Sequence, residues 1–378
     1  MDQLPLLVWS GAALVLGLMV GSFLNVLVAR LPFEKSIVWP GSRCFSCYRP
    51  VRVLDNLPIV GYLRLRGRCR DCGATFSSRY LWVELGTGLA FLGLFLAEVV
   101  FNWFQFPPWF KFDPLRETSP APQAVLVFCY HATLLALLIA AAVVDAEHRV
   151  IPPLIPFTGL VVGVAGAAFI AWPWPHPAGV AAGVGGPKAM PWMLVLEAGP
   201  VPIGAQPWPV VGPPPAWAAA GTWKLGVMNS LLGALAGSLV VRGIKWLFET
   251  GFGREALGLG DADLLMMAGA FLGWQPVVLS LFVGAFAALL VFKLPALVVA
   301  AVRGSGVDRE LPFGPGLAVG IVVTWFAWPW LAPKVQPVFF DIQTLLVVVT
   351  IVGVGMLTAG LLLRRREEPE PQPQPVGK

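Results

Sequence analysis

The chain has 378 residues, of which 57% are hydrophobic and only 12% charged, and it carries a formal net charge of +5. That balance excludes an ordinary soluble globular protein. It fits an all-α polytopic membrane protein, built from uncharged runs of about 20 residues that each cross roughly 30 Å of hydrocarbon; membrane lipids are its expected surroundings, and no nucleic-acid partner is expected.

About nine transmembrane helices are predicted. The first, Leu4 to Ala29, occupies a segment 1–30, and because Asp2 rather than a basic stretch precedes it, it reads as a retained anchor and not a cleaved signal peptide. Residues 31–80 form a charged module. The segment 81–172 holds helices two to four: one beginning near Trp82, one over Ala121 to Val144, and one from Ile151 to Trp172. Residues 173–223 are rich in Pro, Gly and Ala, with Pro213, Pro214 and Pro215 in a row, and predict an external loop without regular helix. Helices five to eight fill 224–333. The fifth starts near Leu225. From Leu264 the apolar run is too long for one crossing and is expected to break at Trp274, Gln275 and Pro276, giving a short sixth helix and a seventh reaching Val302. The eighth is Phe313 to Ala332. A ninth, Ile342 to Leu363, lies in 334–363, and the Pro- and Glu-rich tail 364–378 reads as disordered.

The segment from Arg30 to Tyr80 carries ten Lys and Arg residues against three acidic ones, which places it in the cytoplasm. Threading nine spans from an external N-terminus then puts 145–150, 243–262 and 303–312 on the same side. Within the charged module stand Cys44-x-x-Cys47 and Cys69-x-x-Cys72, with 21 residues between the pairs. Two such knuckles suit a tetrahedral zinc ion, each x-x loop turning two sulfurs toward one metal. Two disulfides are the competing arrangement, and a reducing cytoplasmic location favours the metal. Four thiolates close the coordination sphere, so the site is structural. Cys129, inside a span, reads as a packing residue.

Carboxylates at the edge of membrane helices are costly and mark candidate functional sites. Asp145 closes the third span and Asp261 opens the sixth, at the same side of the membrane. Two facing carboxyl groups sharing one proton are the chemistry of an aspartic protease: the ionised member takes a proton from water and the protonated one polarises the scissile carbonyl. Gly258 and Gly260 are expected to supply positive φ and room for a substrate backbone. Each aspartate also has an ordinary structural reading, Asp261 as a helix N-cap and Asp145 as a partner of Arg149 at i,i+4. Serine or cysteine catalysis has little support, since His131 lies within a span and His148 has no serine partner.

Six stretches in order resemble the prepilin peptidases, the type IV prepilin leader peptidase/N-methyltransferase family of GxGD aspartyl proteases. They are "GSFLNVLVARLP" at 21–32, the two cysteine knuckles, "SSRYLWVELGTG" at 77–88, Asp145 with "RVIP" at 149–152, "EALGLGD" at 255–261 with "AGAFLGWQ" at 268–275, and "LPFGPGLAVG" at 311–320, which contains Pro312 and Gly314. The resemblance covers some 300 residues and leaves out the 173–223 loop and the chain beyond about Lys334. It implies a multi-pass enzyme of the bacterial inner membrane that removes the basic leader of type IV prepilins or type II secretion pseudopilins at the cytoplasmic face, with Asp145 and Asp261 as the catalytic pair. It further implies, for many members, methylation of the freed α-amino group by S-adenosylmethionine, an activity linked to the cysteine-bearing module. Substrate leaders would find acidic neighbours in Asp55, Asp71, Glu147 or Glu255.

Two positions depart from the family pattern. Asp263 stands where a Lys is usual and Pro153 where Asp or Asn is usual. An anion in place of a cation beside the pair is expected to raise the pair's proton affinity, with an acid-shifted activity optimum. The alternatives are a catalytically inactive assembly factor of the pilus or secretion machinery, or a transporter; against the latter, the carboxylates lie at the membrane edge and no repeat of spans is evident.

Overall fold

The computed structural model describes residues 3–104, 111–170, 216–218, 223–253, 258–303, 313–340 and 342–364. Among them there is no β-strand. The helices are α1 (Leu4–Arg30), α2 (Val60–Leu65), α3 (Arg79–Phe95), α4 (Pro122–His148), α5 (Leu154–Phe169), α6 (Trp223–Phe252), α7 (Leu259–Leu272), α8 (Trp274–Ala287), α9 (Leu294–Arg303), α10 (Phe313–Phe340) and α11 (Ile342–Arg364). A π-helical stretch, Leu96–Val100, prolongs α3, and another, Ala288–Lys293, joins α8 to α9. Among the described residues, seven helical segments are long and apolar enough to cross a membrane, while α5 and α7 are shorter. The chain is a multi-pass membrane protein; a helix stands at each of the nine expected places, but only seven are long and apolar enough to count as crossings.

The core is largely apolar, as in a soluble protein, but the surface is apolar as well and a few polar groups are held inside. Leu7, Met19, Leu239, Phe286, Val349 and Ile351 face outward, whereas Asn25, Glu84, Glu98, His131, Asp145, Asn229 and Asp261 are buried. Hydrocarbon offers no hydrogen bonds, so the polar side chains collect inside the bundle and the apolar ones meet lipid. With no hydrophobic drive between helices in lipid, close approach of small residues holds them together. One of the tight cases is α6 against α7. A Cβ added to Gly233 would fall 2.1 Å from the carbonyl oxygen of Gly269, so no larger residue fits while the helices keep this separation.

Two of the expected boundaries fall elsewhere, and a third stretch is outside the described residues. The α7 to α8 break is a single residue, Gly273, at φ 82° and ψ 175°, and Trp274, Gln275 and Pro276 instead form the first turn of α8. This backbone conformation is open to glycine and strained for other residues, and a proline in the first turn removes an N–H that has no helical partner anyway. Second, α10 continues to Phe340, beyond the expected end at Ala332 and across the expected division at 333. Pro329, Pro333 and Pro337 repeat every fourth residue along it, and prolines are tolerated in membrane helices. Third, the 173–223 loop lies outside the described residues except for a short turn, Ala216–Ala218, and the first residue of α6, Trp223; the 365–378 tail lies outside them altogether.

The cysteine module sits between α1 and α3 and is built on two equivalent turns. Tyr48 N–H donates to the Cys44 carbonyl at 2.9 Å, and Gly73 N–H to the Cys69 carbonyl at 2.9 Å. The bridges Arg43 to Pro50 and Arg68 to Thr75 close the two turns in the same register. Positive φ recurs at the matching residues, Tyr48 at 57° and Gly73 at 73°.

Candidate active site

Asp145 is the fourth residue from the C-terminus of α4, and Asp261 lies in the first turn of α7. Each is only 8% exposed, and the two carboxyl groups are close enough to interact electrostatically. The chain after α4 turns sharply: Arg149 adopts φ 55° and its N–H closes on the Asp145 carbonyl at 2.9 Å. That turn carries Ile151 to the start of α7. The Asp145 carboxylate is fixed from a third helix, the Gly314 N–H at the start of α10 donating to Oδ2 at 2.9 Å. A Cβ on Gly314 would lie 2.7 Å from that same oxygen.

The structural reading of Asp261 changes accordingly, while Arg149 does act electrostatically on Asp145, as expected of an i,i+4 partner. Gly258, not Asp261, occupies the N-cap position of α7. Gly258 has φ −72°, and Gly260 is likewise outside the positive-φ region, so the expected left-handed turn is absent. What calls for a small residue at 260 is packing, since a Cβ there would stand 3.1 Å from the Cβ of Ile151. Pro312 and Glu255 lie outside the described residues.

Asp263 has a partner that the sequence did not reveal. Arg242 on α6 donates from Nη2 to Asp263 Oδ1 at 2.9 Å and from Nε to Ser238 Oγ at 2.9 Å. The extra anion near the pair is thus matched by a cation, which removes the ground for a raised proton affinity. The expected direction of the optimum needs correcting as well: a tighter hold on the shared proton moves the singly protonated, active form to higher pH, not lower.

Beside Asp145, Glu147 is ion-paired with Arg79 at the start of α3, and His148 stands 3.8 Å from Glu147 and edge-on to Phe33. These contacts clamp the cysteine module's side of the bundle to the helix that carries Asp145. Sequence reasoning missed Glu98, which is fully buried and bonded to His131, also fully buried. A lone Glu in the apolar run from Leu92 to Phe101 was the signal available for it.

The Sγ atoms of Cys44, Cys47, Cys69 and Cys72 all lie within 4.8 Å of one another, and all four thiols are free. The closest pairs cross between knuckles, Cys44 to Cys72 at 3.7 Å and Cys47 to Cys69 at 3.9 Å. A tetrahedron with metal–sulfur bonds of ~2.3 Å has sulfur–sulfur edges of about 3.8 Å, so four thiolates in this arrangement fit one metal ion. Backbone N–H groups of Cys47 and Ser46 pull the Cys44 thiol down to about 6, which readies it as a thiolate at neutral pH. Nearby, Arg70 hydrogen-bonds to Asp55 and holds its carboxyl below the ordinary range, tying the second knuckle to the turn before α2.

Comparison with known proteins follows the same division. Residues 15–97 match the Bacterial Peptidase A24 N-terminal domain, and residues 214–293 match the Type IV leader peptidase family. Asp261 falls inside the second stretch and Asp145 between the two. A protein named prepilin leader peptidase/N-methyltransferase from Myxococcus xanthus (strain DK1622) is 32% identical over 261 residues, covering 69% of this chain and 55% of that protein. Proteins of the same name from Pseudomonas putida and Pectobacterium carotovorum subsp. carotovorum are 27% and 28% identical, covering 83% and 82% of this chain and 89% and 91% of theirs. No solved structure matches the chain.

Proposed function

This chain belongs to the type IV leader peptidase family, and from that premise we propose that it is an aspartic endopeptidase that cuts the leader from prepilins or pseudopilins at the cytoplasmic face of the bacterial inner membrane. Asp145 and Asp261 are its catalytic pair. The observation that carries the reading is that two carboxyl groups, each 8% exposed, stand within electrostatic reach of each other at the end of one membrane helix and the start of another. A structural role alone gives no reason to bury two carboxyl groups within electrostatic reach of each other.

In this reaction the pair holds one proton between two carboxyl groups. Gly314 N–H donates to Asp145, a contact suited to a carboxylate bearing charge, so Asp145 accepts the proton of the attacking water. Asp261, protonated, donates toward the scissile carbonyl oxygen. When the tetrahedral species collapses, the proton gained by Asp145 passes to the leaving amine and the pair returns to its starting state. No covalent intermediate forms.

The cysteine cluster holds zinc as a structural ion, and the module, residues 31–80, is the part of the chain concerned with methylating the new N-terminus from S-adenosylmethionine. The names of the relatives support that second activity.

The decisive experiment is release of the leader from a prepilin-like substrate by membranes carrying the wild-type chain, Asp145→Asn or Asp261→Asn. Each substitution is expected to lower the rate by at least about a hundredfold, the usual worth of a positioned acid or base. Undiminished cleavage by either variant removes that residue from the pair.

A further inference from the structure

Two charges stand where the helices that carry them disfavour them. Arg79 is the first residue of α3 and Glu147 the last but one of α4, whereas helix dipoles favour anions at the N-terminus and cations at the C-terminus. Neither placement helps its own helix. What both serve is the contact between the two helices, since Arg79 Nη1 donates to Glu147 Oε2 across 68 residues of sequence. The arginine bears a further cost to keep that bond, because its Nε is buried without a hydrogen-bond partner.

The two ends of the contact differ in what stands behind them. Arg79 belongs to a fixed platform: its backbone N–H donates to Ser77 Oγ at 3.2 Å, its guanidinium lies 4.9 Å over the Tyr80 ring, and Asn25 Nδ2 on α1 donates to the Tyr80 carbonyl at 3.0 Å. A Cβ on Gly21 would fall 2.7 Å from the Cα of Glu84, so α1 and α3 touch backbone to backbone. Glu147 instead lies in the last turn of α4, which ends at His148 and leaves through the left-handed Arg149. Terminal turns are where helices fray. Asp145 sits in that same turn. Residues two apart on an α-helix point to nearly opposite sides, so Asp145 looks toward α7 and α10 while Glu147 looks toward α3.

We propose that Arg79 and Glu147 are positioning residues for leader cleavage, holding the last turn of α4 against α3 so that the Asp145 carboxylate stays on the Gly314 N–H and within electrostatic reach of Asp261. The role rests on the peptidase reading above, and in it neither residue touches the reacting atoms. Asp145 is gripped from two sides: its Oδ2 by α10 at 2.9 Å, and its backbone, through Glu147, by α3. His148, whose ring stands edge-on to Phe33 at 5.4 Å between centroids, adds a contact on the same side. A misplacement of about 1 Å at a catalytic group costs up to about a hundredfold in rate, and losing one hold on a helix end permits such a shift. The pairing argues against a rival use of Glu147, reception of a basic leader, since its charge is already matched by a cation from within the chain.

The test measures kcat, KM and melting temperature of the purified full chain in detergent, with a prepilin-like substrate, for wild type, Arg79→Met, Glu147→Gln and the double variant. Each single substitution is expected to lower kcat by about tenfold or more with KM within about twofold, and the double variant to be no slower than either single, as for two residues acting as one unit. Side chains 24% and 32% exposed make an ion pair of little worth to fold stability, so the melting temperature should hardly move while kcat falls. Exchanging the charges, Arg79→Glu with Glu147→Arg, restores attraction and gives both helix ends the sign their dipoles favour, so cleavage should recover to within about threefold of wild type. The exchanged protein also keeps the test readable if a single variant fails to fold. A rise in KM with kcat kept would make Glu147 a leader contact and overturn the positioning role. So would single variants within about twofold of wild type, a double variant slower by the product of the single effects, or an exchanged pair no faster than the singles. A wild type that releases no leader removes the peptidase reading and this role with it, whereas normal cleavage by the variants removes the role alone.

Discussion

Gly314 and Asp145 stand 169 residues apart and share one hydrogen bond of 2.9 Å, in a space where a methyl group would lie 2.7 Å from the accepting oxygen. That geometry explains why a glycine opens α10 at this point: the backbone itself is the ligand of the carboxylate, and any side chain drives the two apart. Gly314→Ala is expected to lower kcat for leader release by about tenfold to a hundredfold, since shifts near 1 Å at a catalytic group have that effect. The melting temperature of the variant separates displacement of Asp145 from general loss of fold. A rate within twofold of wild type would mean that the bond does not position Asp145.

The pairing of Asp263 with Arg242 gives a second expectation, with a sign that can be checked. In the wild type the anion is matched, so Asp263→Asn, which strands the Arg242 cation, should move the pH–rate profile slightly to lower pH. Arg242→Ala leaves Asp263 unmatched near the aspartate pair. An uncompensated anion strengthens proton binding there, so both limbs of the profile should move to higher pH, and adding Asp263→Asn to Arg242→Ala should bring them back. Because Arg242 is 48% exposed at its side chain, solvent screening keeps the movement below about one pH unit. Identical profiles in all four proteins would show that the pair does not feel this charge.

Much of this was legible in the sequence because membrane insertion writes itself plainly: nine apolar runs, ten cations in one short segment and two cysteine knuckles need no tertiary information. The break between α7 and α8 was legible only approximately, since the signal residue is Gly273 and the more conspicuous Trp274, Gln275 and Pro276 belong to the next helix. The reason for Gly260 was misread, because a glycine looks the same in sequence whether it serves positive φ or close packing against Ile151. Arg242 with Asp263, Glu98 with His131 and Asn25 with Tyr80 were beyond reach. Each joins two helices, and no periodicity along one helix reports its neighbour.

The metal reading is checked by content and by folding. Purified wild-type chain should carry about one zinc ion, and Cys44→Ser should carry almost none, since removal of one of four ligands opens a closed tetrahedron. Structural zinc contributes directly to folding, so the same substitution should expose the stretch between α1 and α3 to limited proteolysis while the membrane helices stay protected. A wild-type chain free of zinc and yet resistant to proteolysis would show that the module stands without it.

The pair of Glu98 and His131 bears on stability. Both side chains are fully buried, the contact is direct, and the ring of Trp325 lies 5.0 Å from that of His131. Removing one member strands the other in a low-dielectric interior, at a cost of about 3–5 kcal/mol, whereas removing both leaves no buried charge. His131→Leu and Glu98→Gln are therefore expected to differ, the first stranding a carboxylate and the second only an imidazole that can stay neutral. The double variant should be more stable than His131→Leu alone, a coupling that thermal unfolding in detergent measures directly. His131 precedes Asp145 by 14 residues on α4, about 21 Å along the axis at 1.5 Å per residue. Leader release per folded molecule should accordingly hold in all three variants. A fall in kcat with unchanged melting temperature would instead tie the buried pair to the reaction at the far end of the helix.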